Sequence, residues 1–148
     1  MSIDFDAIAT ALVARFAPGA VTPPTGYDNI RVSTAAVPNQ MTPLPTVLVF
    51  LDDGEIEYFP GKRDSTFGWL IRFYYNQTGD LERDSAALRK WATVLIDQLQ
   101  GAVQLGGTVT SAHITGFQVG LLNYAGIQYT GLEMRITVIT NDAWAAVA

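Results

Sequence analysis

The 148 residues, 49% of them apolar and only 16% charged, suffice for one domain with a substantial core and rule out a disordered acidic chain. A net charge of −5, from 14 acidic and 9 basic residues, argues against a general duplex-binding surface built from clustered Lys and Arg. With no cysteine and one histidine, His113, disulfide frameworks, thiolate nucleophiles and two-histidine metal motifs are excluded too.

The charged fraction falls below the roughly 25% usual for soluble domains, leaving a surface rich in Thr, Gln, Asn, Gly and Tyr. Such a surface is expected where other subunits cover part of it, or in an ordinary secreted or viral protein with a mild exterior. No apolar run approaches the roughly 18 residues of a membrane span, and Met1-Ser2-Ile3-Asp4 has no basic leader. A soluble chain without a classical secretion signal is expected.

In chain order, Ser2 is the expected cap of a first helix, with Asp4 and Asp6 in its opening turn. Phe5, Ile8, Leu12 and Phe16 form one apolar stripe, and Pro18-Gly19 ends the helix. Five prolines then interrupt Ala20 to Pro45, where only Ile30-Arg31-Val32 and Ala35-Ala36-Val37 suggest short extended pieces. A connection this long is either an interface loop or a meandering surface loop. Thr46 to Leu51 is apolar on both faces and predicts a central strand. Asp52-Asp53-Gly54 reads as a turn, and Glu55 to Phe59 as a returning strand that stops at Pro60-Gly61.

Thr66 to Tyr75 predicts a long strand with Phe67, Trp69, Ile71, Phe73 and Tyr75 on one face and Leu70, Arg72 and Tyr74 on the other. A second helix follows, from Asp84 to Gln100 with Asp80 or Asp84 as cap, its stripe formed by Leu88, Trp91, Leu95 and Leu99. At 1.5 Å per residue it spans about 25 Å, enough to cross three or four strands. Gly101 is its expected stop. Thr108 to Ile114, Phe117 to Leu121, a turn at Asn123 to Gly126, and Ile127 to Tyr129 lead to the closing strand Leu132 to Val138. In that strand Glu133, Arg135 and Thr137 alternate with apolar residues, and the two charges either meet a neighbouring subunit or face water. Asn141 to Ala148 suggests a short arm, in which Trp144 is an interface anchor if exposed and core if folded back. The order of elements predicts a single α+β domain, a mainly antiparallel β-sheet flanked by two helices with long loops.

No nucleophile frame, phosphate loop or dinucleotide fingerprint is present. Asp52-Asp53 with Glu55 and Glu57 is the one acidic cluster, and reads either as a weak divalent or acid–base site or as an ordinary hairpin end. His113 has no obvious partner near in sequence.

Taken together, the helix Phe5 to Phe16, the Pro-rich loop into Thr46-Val47-Leu48-Val49-Phe50, the strand Trp69-Leu70-Ile71-Arg72-Phe73-Tyr74-Tyr75, the helix through Trp91 and Leu95, and Leu132-Glu133-Met134-Arg135-Ile136-Thr137-Val138 resemble, in order and spacing, the tail terminator (tail completion) proteins of long-tailed bacteriophages and gene transfer agents. The resemblance implies a homo-oligomeric ring, usually a hexamer, that caps the tail tube, ends its polymerisation and joins the head–tail connector. It implies the tail-tube protein and the connector protein as partners, DNA passing through a central channel, no cofactor, no catalysis and no membrane. Its expected place is the virion tail, with host cytoplasm during assembly. Candidate interface residues are Asp52, Asp53, Lys62, Arg63, Arg72, Tyr74, Glu133, Arg135 and Trp144. The alternatives are another tail-tube or neck subunit, or a small ligand-binding or hydrolytic domain using Glu55, Glu57 and His113.

Overall fold

Alternating strands and striped helices assemble into a two-layer α+β fold in the computed structural model, which describes residues 3–36, 43–77, 80–100, 109 and 111–143. The elements run α1 (Phe5–Arg15), β1 (Val32–Thr34), β2 (Thr46–Phe59), β3 (Lys62–Asn76), α2 (Leu81–Gln100), β4 (Ser111–Tyr124) and β5 (Ile127–Ala143). One mixed five-stranded sheet has the order β1-β2-β3-β5-β4. β1 pairs parallel to β2, and every other pairing is antiparallel. The expected α+β class with a mainly antiparallel sheet and two flanking helices is therefore the observed one.

Both helices lie on the same face of the sheet. The odd residues of β3, from Phe67 to Phe73, share a core with Val47 and Val49 of β2 and with Leu132, Met134, Ile136 and Val138 of β5. Ile8 and Leu12 of α1, with its C-cap Phe16, seal one side of that core, and from α2, Leu88, Trp91, Leu95 and Leu99 seal the other. The Phe5 ring meets Phe67 edge-on at 4.9 Å, and Trp91 lies 4.8 Å from Phe73. The helices are also tied to each other. Arg15 Nη2 donates to the Gln98 carbonyl at 3.0 Å, while Gln98 Nε2 donates to the Arg15 carbonyl at 2.8 Å. The Arg15 guanidinium thus supplies the cation favoured at a helix C-terminus, which the last turn of α2 lacks.

Several local expectations change. Asp4, rather than Ser2, caps α1, its Oδ1 accepting from the Ala7 amide at 2.9 Å; Ser2 lies outside the described residues. Asp80 caps α2 by accepting from the Arg83 amide at 3.0 Å, so the helix begins three residues before Asp84. Gly101 lies outside the described residues. The Pro-rich connection is partly interior, because Val21 and Ile30 plug the core and Val32–Thr34 adds the parallel edge.

Asp52-Asp53-Gly54 is not a turn. It is a bulge within one continuous strand, where Leu51 faces Trp69 and Asp53 faces Gly68. The true hairpin end is Pro60-Gly61: Gly61 has φ +78° and proline fixes its own φ, the pattern of a type II turn. Likewise, the pieces read from Thr108 to Val138 are two long strands, β4 and β5, joined at Ala125-Gly126, where both φ values are positive (52° and 80°). Asn141–Ala143, at the start of the expected arm, continue β5 and pair with Lys62–Asp64. Trp144 lies outside the described residues.

Candidate interaction surface

The sheet face opposite the helices carries most of the candidate residues. Alternation along β3 and β5 sends Leu70, Arg72 and Tyr74, with Glu133, Arg135 and Thr137, to this side. No helix of the described residues covers it, so its polar groups are matched by strand neighbours.

Arg72 and Glu133 are direct cross-strand partners, and Arg72 Nε donates to Glu133 Oε2 at 2.7 Å. The same guanidinium lies over the Phe50 ring, 5.3 Å from its centroid, which adds a cation–π contact. Burial acts to lower the Arg72 pKa, but the hydrogen bond and charge of Glu133, aided by Tyr74, outweigh it and hold it above its ordinary value.

Arg135 makes the more unusual arrangement. Its side chain crosses β3 to reach β2, where Nη1 donates to Asp52 Oδ2 at 2.8 Å and Nη2 to Asp53 Oδ1 at 2.6 Å. The crossing is possible because residue 68 is a glycine. A Cβ at Gly68 would collide with the Arg135 guanidinium and the Asp53 carboxylate. One arginine therefore ties both carboxylates of the bulge, and their hydrogen bonds hold its pKa above the usual value. Gly54 has a matching role on the helix side, where the Phe67 ring occupies the space a Cβ would need.

At the other end of this face is a small aromatic cluster. Leu48, Tyr74 and Tyr129 are buried with Phe50, Leu122 and Tyr124 packed around them. Tyr74 meets Tyr129 at 5.5 Å and Tyr124 at 6.1 Å, both edge-to-face. Burial raises the Tyr74 phenol above its ordinary pKa, against the nearby Arg72 charge, which lowers it.

Glu133 and Arg135, with Arg72, Asp52 and Asp53, thus form two ion-pair groups inside one chain, instead of facing water alone. Lys62 and Arg63 lie apart, beside the Pro60-Gly61 turn, with the Lys62 ammonium 5.0 Å from the Phe59 ring centroid and 3.9 Å from Asp64. The acidic cluster divides as well: Asp52 and Asp53 are held by Arg135, while Glu55 and Glu57 are exposed further along β2. His113 sits on β4 opposite Thr137. β3 and β5 intervene, so His113 and Glu57 are separated by three strand spacings, roughly 14 Å, before any offset along the strands. No group of three His, Asp or Glu among the described residues is arranged to hold a metal ion.

Sequence reading missed a second set of residues. Leu51, Ile56, Tyr58, Phe117, Val119 and Leu121 are large, apolar and exposed. They lie on the two outer long strands, β2 and β4. The available signal was the absence of any Asp, Glu, Lys or Arg over the 14 residues of β4. Between β4 and α2 runs a groove of about 390 Å³ whose lining includes Arg89, Ala92, Ile96, Asp97, Phe117 and Val119. No family model matches the chain, and comparison with curated proteins finds no match.

Proposed function

We propose that this chain is a structural subunit of a homo-oligomeric ring, of the kind that caps a phage-like tail tube and joins it to the head connector. One observation carries the reading: among the described residues, eight large hydrophobic side chains are exposed in a protein with only 16% charged residues. Seven of them lie on the outer long strands, four on β2 and three on β4, and exposed apolar patches mark surfaces that associate. On the helix-free face Arg72 pairs with Glu133, and Arg135 binds both Asp52 and Asp53. The acidic balance suits a passage through which DNA slides, because carboxylates offer phosphates no counterion-release gain. The order and spacing of elements, resembling tail terminators, supply the ring type and the partners.

Native mass spectrometry of the purified protein, with and without a tail-tube protein, tests this. A closed oligomer of one size that binds tube ends and stops their growth is expected. A protein that stays monomeric in both conditions would sink the reading, and one that grows alone into long tubes would reassign it to the tube itself.

A further inference from the structure

We propose that copies of this chain join head to tail through their two outer strands, the open edge of β2 in one copy pairing antiparallel with the open edge of β4 in the next. This rests on the ring reading and identifies the surfaces that make the ring.

Two edges are available. β1 pairs only with Thr46–Leu48, so among the described residues no strand lies on the outer side of β2 from Val49 to Phe59. β4 is the opposite edge of the sheet and, among the described residues, pairs with no strand but β5. An open strand edge presents a row of unpaired amides and carbonyls, and proteins that avoid association usually protect it with charge. Ser111–Tyr124 contains no Asp, Glu, Lys or Arg. It is an edge built to be covered.

The exposed apolar side chains fall on matching faces. Leu51 faces Trp69 and Ile56 faces Ser65, which places both on the helix side of β2. Phe117 faces Met134 and Val119 faces Leu132, which places them on the helix side of β4. When two strands extend one sheet, residues on the same face become neighbours. Ile56, 44% exposed, would then lie beside Phe117, 52% exposed, and Val119, 37% exposed. The groove between α2 and β4 opens on that same side, ready to receive the incoming β2 side chains.

Direction and charge select the partner. β2, β3, β5 and β4 alternate, so β4 runs opposite to β2. A second copy set beside the first in the same orientation therefore brings β4 and β2 together antiparallel, and repeating that step produces a ring when the rotation closes. Two β2 edges would instead oppose Asp52, Asp53, Glu55 and Glu57 to their own copies. Two β4 edges could pair by a two-fold axis, but that would leave Leu51 and Ile56 in water. Only the β2–β4 pairing covers both stripes.

The chain contains no cysteine, which makes cross-linking clean. Ile56→Cys and Val119→Cys variants, one carrying a mass tag, are mixed and treated with a short thiol cross-linker. The expected product is a dimer of one variant with the other and none within either alone. The double variant should give a ladder ending at the oligomer size. Phe117→Glu should convert the oligomer to monomer without changing the far-UV spectrum. Self-cross-linking of Val119→Cys, or a Phe117→Glu protein that remains oligomeric, overturns the proposal. If native mass spectrometry shows an oligomer yet no cross-link forms, this interface is wrong while the ring reading stands. A wild-type chain that is monomeric throughout removes both.

Discussion

Replacing Thr130 by valine should destabilise the fold by about 1–3 kcal/mol, the usual cost of leaving a buried polar group short of a partner. Thr130 is fully buried near the start of β5, and its hydroxyl donates to Asp84 Oδ2 at 2.7 Å. Asp84 is itself buried in the first turn of α2. The contact joins residues 46 apart in sequence and anchors the helix N-terminus to the sheet. Valine keeps the shape and removes the donor, so neither a cavity nor a backbone change confuses the result. For a domain of this size each kcal/mol moves the melting temperature by about 2–4 °C, which puts the expected fall at roughly 2–12 °C. Calorimetry on Thr130→Val, Asp84→Asn and the double variant forms a cycle, and the expected coupling is about 0.5–3 kcal/mol. Strictly additive losses would show that the hydroxyl and carboxylate do not act as a pair.

Three further outcomes follow from the same contacts. Gly68→Val should displace the Arg135 guanidinium from Asp52 and Asp53, so amide exchange in the Gly54–Ser65 segment accelerates while α2 is unchanged; equal exchange in both regions would refute the clamp. Burial raises the Tyr74 phenol above 10.0 in the folded chain, so the proton is bound more tightly there than in the unfolded chain. That stabilisation is full below the unfolded value and is lost as pH rises through the folded one; urea melts in this alkaline range should show the fall, and Tyr74→Phe should reduce it, with Tyr75, also raised by burial, supplying the remainder. Phe117→Ala should weaken self-association, because covering half of a phenylalanine side chain removes about 100 Å² from water, worth about 2.5 kcal/mol or roughly 70-fold in affinity; sedimentation across a concentration series reads this directly, and an unchanged dissociation constant would place the contact elsewhere.

Elements whose pattern is set by burial were legible in the sequence. Leu88, Trp91, Leu95 and Leu99 recur at helical spacing because one side of α2 faces the sheet, and all four are buried. Phe67, Trp69, Ile71 and Phe73 alternate because β3 is a central strand covered by both helices. Asp52-Asp53-Gly54 misled for a physical reason. Those residues favour turns when only near neighbours count, and here they are held in a strand by Arg135, more than 80 residues away. β1 was obscure because three half-buried residues carry no period, and their pairing depends on where Pro45 delivers the start of β2.

The candidate surface shows the same division more sharply. Arg72, Glu133 and Arg135 stood out as charged residues in otherwise apolar strands, yet what they touch depends on register, which no single strand encodes. Arg72 meets Glu133 only because β3 and β5 align those two residues, and Arg135 reaches β2 only because the residue between them has no side chain. A glycine at position 68 looks like a weak point in a strand when read alone. In the sheet it is the gap that lets one guanidinium bind two carboxylates. With Asp52, Asp53 and Glu133 held inside the chain, the exposed apolar side chains of β2 and β4 are the groups that the proposed pairing between copies would cover.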